Sequence, residues 1–146
     1  MIPTRKNVLV ADDSEVDFLF LQRAFSMAGL SHVLLRVRDG KQALLYLRGE
    51  EPFEDRQRWP FPDLLVLDGK MPVTSGLEVL EHLRDSADVH VPAVVLSGSI
   101  SPGDAQAALE LGAAEYLSKP DSISELILLA QTIHYRWLSS PCAARG

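Results

Sequence analysis

Chemically active residues stand at the ends of four short apolar runs. Asp12-Asp13 follows Asn7–Ala11, Asp68 closes Leu64–Asp68, Ser97 closes Ala93–Ser97, and Lys119-Pro120 follows Glu115–Ser118. If the runs are neighbouring strands, three carboxylates, a hydroxyl and an ammonium converge on one edge. At ~4 Å and an effective dielectric near 20, each ionised carboxylate pair repels by about 4 kcal/mol. A divalent cation removes that cost, and a donor set of hard oxygens selects Mg²⁺. A carboxylate beside Mg²⁺, Lys119 and Ser97 is also equipped to accept a phosphoryl group. The cations neutralise charge developing on the transferred oxygens, and the hydroxyl donates a hydrogen bond to them.

The elements that must position these groups alternate along the chain. To the four runs is added residues 32–37, and several of the five are nearly continuous in Val, Leu and Ala, as in strands covered on both faces. Helical spacing separates them: Phe18, Leu21 and Phe25; Val79, Leu80 and Leu83; and a last stripe through Ile123, Leu126, Ile127, Ala130, Ile133 and Trp137. Helix-start signals stand at Ser14/Asp17, Asp39/Gln42, Ser75/Glu78, Ser101/Asp104 and Ser122/Glu125, with Pro102 at a first helical position. Gly29 and Gly112 read as helix stops. Five strands alternating with five helices predict an α/β fold, a single doubly wound parallel sheet with helices on both faces. In such a sheet the working site lies outside the carboxyl ends of the strands.

The chain has 146 residues, 47% of them hydrophobic and 23% charged, which suits one folded domain rather than a disordered chain. One domain is expected over 1–146, with its core at about 7–138 and a short tail over 139–146. A net charge of −6 argues against a protein that coats nucleic acid phosphates. The single cysteine, Cys142, offers no disulfide framework, and the histidines His32, His82, His90 and His134 show no ligand spacing. No apolar run has the ~18 residues of a membrane span, so a cytoplasmic protein is expected. The irregular stretch 50–62 is long for a helix-to-strand connection and reads as an insertion with one or two aromatics tucked against the domain.

Taken together, Val10-Ala11-Asp12-Asp13-Ser14, Leu67-Asp68-Gly69-Lys70-Met71-Pro72 with Gly76, Leu96-Ser97-Gly98, and Tyr116-Leu117-Ser118-Lys119-Pro120 resemble the receiver domain of two-component response regulators. The resemblance runs from about Asn7 to Leu138 and implies the flavodoxin-like strand order 2-1-3-4-5. It implies that Asp68 accepts a phosphoryl group from a histidine kinase in a Mg²⁺-dependent reaction, the protein catalysing its own phosphorylation and slow dephosphorylation without being an enzyme in the ordinary sense. Asp13 matches the direct metal ligand, Asp12 a ligand acting through water, and Lys70 the position whose backbone carbonyl completes the protein's share of the metal shell. Ser97 matches the switch hydroxyl, Lys119 the lysine that contacts the phosphoryl group, and Tyr116 the switch aromatic. Pro120 fits the family's cis peptide after that lysine. Gly69 and Lys70 depart from the pair more usual after the phosphorylated aspartate, and a second ammonium there bears on dephosphorylation or partner choice.

Two other functions fit the residues less well. A Mg²⁺-dependent phosphohydrolase of the aspartyl-phosphate type calls for Asp-x-Asp after the first strand, which Ala11-Asp12-Asp13-Ser14 lacks. A flavodoxin-like cofactor binder calls for a phosphate-cradling loop at the same place, also lacking. With only 139–146 beyond Leu138, the expected output is protein–protein contact rather than a DNA-binding module. Stretch 50–62 and Tyr135-Arg136-Trp137-Leu138 look like the stand-alone receivers paired with bacterial phytochrome-type histidine kinases. Trp137 continues the apolar stripe and reads as core, with an interface anchor as the alternative because Tyr135 and Trp137 cannot both face one core. Spacing alone assigns neither, and the last helix presents more aromatic surface than one buried stripe needs. That favours a homodimer through the fourth helix, fifth strand and fifth helix, with the kinase docking nearer the first helix.

Overall fold

Strands with apolar side chains at both parities have no side left for water, so each must lie between two layers of helices. The computed structural model, which describes residues 5–68, 76–86, 88–98 and 102–139, has this arrangement. In chain order its elements are β1 (Asn7–Ala11), α1 (Glu15–Met27), β2 (Val33–Val37), α2 (Gly40–Arg48), β3 (Leu64–Asp68), α3 (Gly76–Arg84), β4 (Ala93–Ser97), α4 (Pro102–Glu110), β5 (Glu115–Ser118) and α5 (Ile123–Ile133), the last continuing as a π-helical turn, His134–Leu138. The strands form one parallel sheet in the order β2-β1-β3-β4-β5. Alternation along each strand divides the core. Leu9, Leu65, Leu67 and Val95 meet Ala43, Leu47, Val79, Leu80 and Ala108 of α2, α3 and α4. On the other face, Val8, Val10, Val66 and Val94 meet Phe18, Leu21 and Phe25 of α1 and Ala130 and Ile133 of α5. Each large apolar side chain so buried contributes roughly 1.5–3 kcal/mol.

Local signals set the helix ends. The Oγ of Ser14 accepts from the Asp17 N–H at 3.2 Å, Asp39 from Gln42 at 2.8 Å and Ser122 from Glu125 at 3.2 Å. The other two expected caps, at Ser75 and Ser101, lie outside the described residues, as do Gly69, Lys70 and Cys142. Gly29 and Gly112 have positive φ, as expected, and Gly49 ends α2 in the same left-handed region. Stretch 50–62 is packed more firmly than expected. Phe53, Trp59 and Phe61 all lie against the core, the Tyr46 hydroxyl donates to the Pro60 carbonyl at 2.8 Å, and Arg56 reaches the carbonyls of Leu47 and Trp59. Burial, partly opposed by Arg56, pushes the Tyr46 hydroxyl up to about 12.

The end of α5 is fastened on two sides. His32 starts no ladder pairing; its Nδ1 accepts from the Lys6 N–H at 3.0 Å, so the neutral ring carries its proton on Nε2, 2.9 Å from Nδ1 of His134. Glu115 of β5 accepts from the Trp137 indole N–H at 3.0 Å and pairs with Arg136. Trp137 is thereby half-buried, and Tyr135, 77% exposed, is the aromatic that projects.

Burial lowers the His32 pKa below 6.5, His134 and Lys6 add to the effect, and Asp63 opposes it. The folded state then binds fewer protons than the unfolded chain, so the contribution is complete above 6.5 and is lost as pH falls through the folded pKa. Lowering the pH from about 7.5 to about 5.5 is expected to cut the denaturant midpoint of the wild type more than that of His32→Gln. Equal losses in the two proteins would contradict this.

Candidate functional site

The carboxyl ends of β1, β3, β4 and β5 lie side by side, and register sets what each delivers. Ala11 pairs with Leu67, so Asp12-Asp13 leaves β1 beside Asp68; Asp68 lies opposite Leu96, and Ser97 opposite Ser118. The chain after β1 is pinned by Arg36 of β2, whose guanidinium donates to the carbonyls of Asp12 at 3.0 Å and Asp13 at 3.3 Å. Carboxylate oxygens of Asp12, Asp13 and Asp68 all come within 4.8 Å of one another. Three hard anionic oxygens so close fit a divalent cation, which would supply charge neutralisation for a transferred phosphoryl group.

The three acids have different surroundings. Asp12 is buried; its Oδ1 accepts from the Ser14 N–H at 2.9 Å and its Oδ2 lies 3.2 Å from Lys119 Nζ. Burial raises the Asp12 pKa, the Ser14 N–H and Lys119 oppose the rise, and Asp68 adds to it. Asp68 is half-buried with Lys119 at 3.7 Å, and Asp13 is exposed at the rim.

Lys119 gathers the acids. Its ammonium lies 2.8 Å from Asp17, 3.2 Å from Asp12 and 3.7 Å from Asp68. Burial alone would lower its pKa, but Asp17, Asp12 and Asp68 outweigh that and hold it above 10.5. The expected cis bond before Pro120 is not found: Lys119–Pro120 is trans, and among the described residues the cis peptide is Glu51–Pro52. The Lys119 N–H donates to the Ser97 carbonyl at 2.7 Å, which extends the β4–β5 ladder through Lys119 into the extended backbone that a residue before proline favours. Its ammonium reaches the acids from there.

Beside these groups a cavity of about 300 Å³ runs between α1 and the start of α5, walled by Phe20, Leu21, Val66, Leu96, Ile123 and Leu126 and opening on Asp12, Asp17, Asp68 and Lys119. Ser97 is buried at the end of β4. Tyr116 is half-buried, pairs with Val95 and packs with the α2–α4 layer, so the ring lies on the opposite face of the sheet from the cavity. The structure thus brings Asp12, Asp13, Asp68 and Lys119 together, with Ser97 at the adjoining strand end and Tyr116 farther back.

Two participants were not evident from sequence. Asp17 looks like an ordinary acid in a helix-start motif, and Arg36 is one charge inside an otherwise apolar strand. That lone charge was the available signal, since a cation within a covered strand needs a partner.

Comparisons with known proteins agree with this architecture. Residues 8–131 match the response regulator receiver domain family. The response regulator Rcp1 of Synechocystis is 31% identical over 136 residues, covering 92% of this chain and 90% of that protein. A solved Mn²⁺-bound form of Rcp1 superimposes with a TM-score of 0.80 over 93% of this chain and 96% of that one. The response regulator RPA3017, in red light signaling of R. palustris, gives 0.85 at 33% identity over 96% and 97% of the two chains. The phosphorylated cyanobacterial phytochrome response regulator RcpA gives 0.83 at 30% identity over 94% and 96%. With residues 8–131 matched by that family and the sheet order shared with its solved members, the chain belongs to the response regulator receiver domains.

Proposed function

We propose that this chain is a phosphoacceptor switch: Asp68 takes a phosphoryl group from a histidine kinase, with Mg²⁺ bound, and the change is read through protein contacts. The observation that carries this reading is the Lys119 ammonium lying among Asp12, Asp17 and Asp68 beside three converging carboxylates. An Asp68 oxygen forms a bond to phosphorus as the bond to the kinase imidazole nitrogen breaks, and that nitrogen keeps the electron pair. Lys119 neutralises charge on the transferred oxygens, and the Ser97 hydroxyl donates to one of them. Asp13 and Asp68 would hold the cation directly, and Asp12, whose oxygens already have partners, would act through water. Lys70, whose carbonyl the resemblance assigns to the same set, lies outside the described residues. The phosphohydrolase and cofactor-binding alternatives find no comparable support.

Two surfaces take part in signalling. Beside the cavity mouth, α1 exposes Val16, Leu19 and Phe20, an apolar face suited to the kinase, of the phytochrome type by the likeness to RcpA and RPA3017. Strand alternation puts Ser97 and Tyr116 on the same sheet face. As phosphoryl oxygens draw Ser97 and Lys119 inward, Tyr116 can turn and alter the α4–β5–α5 surface, where Leu109, Leu128 and Tyr135 are exposed. We place homodimerisation there, in one receiver unit acting in the cytoplasm without contacting nucleic acid.

Acetyl phosphate with Mg²⁺ should add one hydroxylamine-labile phosphoryl group to the wild type. Failure to label the folded protein with any phosphodonor would overturn the reading. For the dimer, mass in solution should rise with beryllofluoride in the wild type and not in Tyr135→Ala, since only a dimer that binds the active form more tightly shifts with activation. A wild type monomeric in both states at tens of micromolar would contradict it. Tyr135 is the residue to replace, because Trp137 is held by Glu115.

A further inference from the structure

Asp17 holds the Lys119 ammonium more closely than Asp68 does, at 2.8 Å against 3.7 Å. In a capping box, an acid at this third helical position turns back to the N–H of the capping residue. Here that N–H, of Ser14, is already taken by Oδ1 of Asp12 at 2.9 Å, while the Ser14 hydroxyl caps the Asp17 N–H. The Asp17 backbone is therefore fixed, and its carboxylate reaches across the cavity mouth to Lys119. It is not among the three carboxylates that converge for a cation, Asp12, Asp13 and Asp68.

We propose that Asp17 is a positioning residue for the phosphoryl transfer, holding the Lys119 ammonium toward α1 so that a phosphoryl group arriving on Asp68 must draw it away. The proposal rests on the reading of Asp68 as the acceptor. Two effects act in the same direction. Asp17 competes with the phosphoryl oxygens for Lys119, and its charge repels the incoming anion at the cavity mouth. Asp17 thus restrains phosphorylation, and neutralising it releases Lys119 for the transferred oxygens. Its side chain is 43% exposed, so the restraint is modest in size.

Acetyl phosphate tests this better than a kinase, because it needs no docking on α1. With Mg²⁺ present, Asp17→Asn is expected to raise the second-order rate constant for phosphorylation, and the affinity for beryllofluoride, by roughly fivefold, the effect of one partly exposed ion pair. Asp17→Glu should return both toward wild type. In a Lys119→Ala background, where beryllofluoride affinity stays measurable even if transfer is slow, only the repulsion remains, and Asp17→Asn should give a clearly smaller gain. An equal gain in both backgrounds would overturn the proposal, as it would show a general charge effect. So would no gain from Asp17→Asn with Lys119 intact, while the wild type labels normally. A wild type that takes no phosphoryl group would instead remove the acceptor reading, and this proposal with it.

Discussion

Asp68→Asn is expected to abolish phosphoryl incorporation from acetyl phosphate while leaving the fold intact. The carboxamide keeps the size of the side chain at the end of β3 and its place opposite Leu96. It loses the anionic oxygen that attacks phosphorus, and no neighbouring acid is equivalent. Asp12 has both oxygens engaged by Ser14 and Lys119, and Asp13 stands exposed at the rim. The substitution also removes one charge from the group around Lys119, so stability should be unchanged or slightly raised. Labelling undiminished in a folded Asp68→Asn protein would remove Asp68 from the role.

The second large effect is on the metal. Asp13→Ala should weaken Mg²⁺ binding by roughly 10- to 100-fold, as expected for loss of a charged oxygen ligand from a small hard-cation site. Stability without metal should not fall, because the lost carboxylate is exposed and repelled by Asp12 and Asp68. In the wild type, Mg²⁺ at ten times its dissociation constant should stabilise the fold by about 1.4 kcal/mol. Asp13→Ala should show little of this at the same concentration. Calorimetric titration and thermal unfolding read the two quantities separately. Equal Mg²⁺ affinity in both proteins would contradict the assignment.

These positions were legible because covered parallel strands write themselves as apolar runs, and the residues just after each run lie at the working edge. β1, β3, β4 and β5 have the boundaries that their runs indicate, and β2 starts one residue later, at Val33, because the His32 ring turns to the Lys6 N–H. Contacts that depend on three dimensions left no such trace. His32 and His134 meet across 102 residues of chain, and neither has a neighbour suggesting a pair. Asp17 carries the same sequence signal whether it caps its own helix or reaches for Lys119. Only the engagement of the Ser14 N–H by Asp12 decides between the two. Helical spacing placed Trp137 and Tyr135 near one stripe without ordering them, and the carboxylate of Glu115 on β5 does so. Lys119 was expected to reach the acids through a cis peptide, yet an extended β5 and the pull of Asp12 and Asp17 bring it there with a trans one.

The most direct measurement locates the phosphoryl group. Wild-type protein treated with acetyl phosphate and Mg²⁺ is reduced with borohydride, which converts an acyl phosphate to the alcohol, and the modified residue is found by peptide mass. The account predicts a single Mg²⁺-dependent modification at Asp68. Modification at Asp12, Asp13 or Asp17 in its place, or labelled protein with no reducible acyl phosphate, would contradict it.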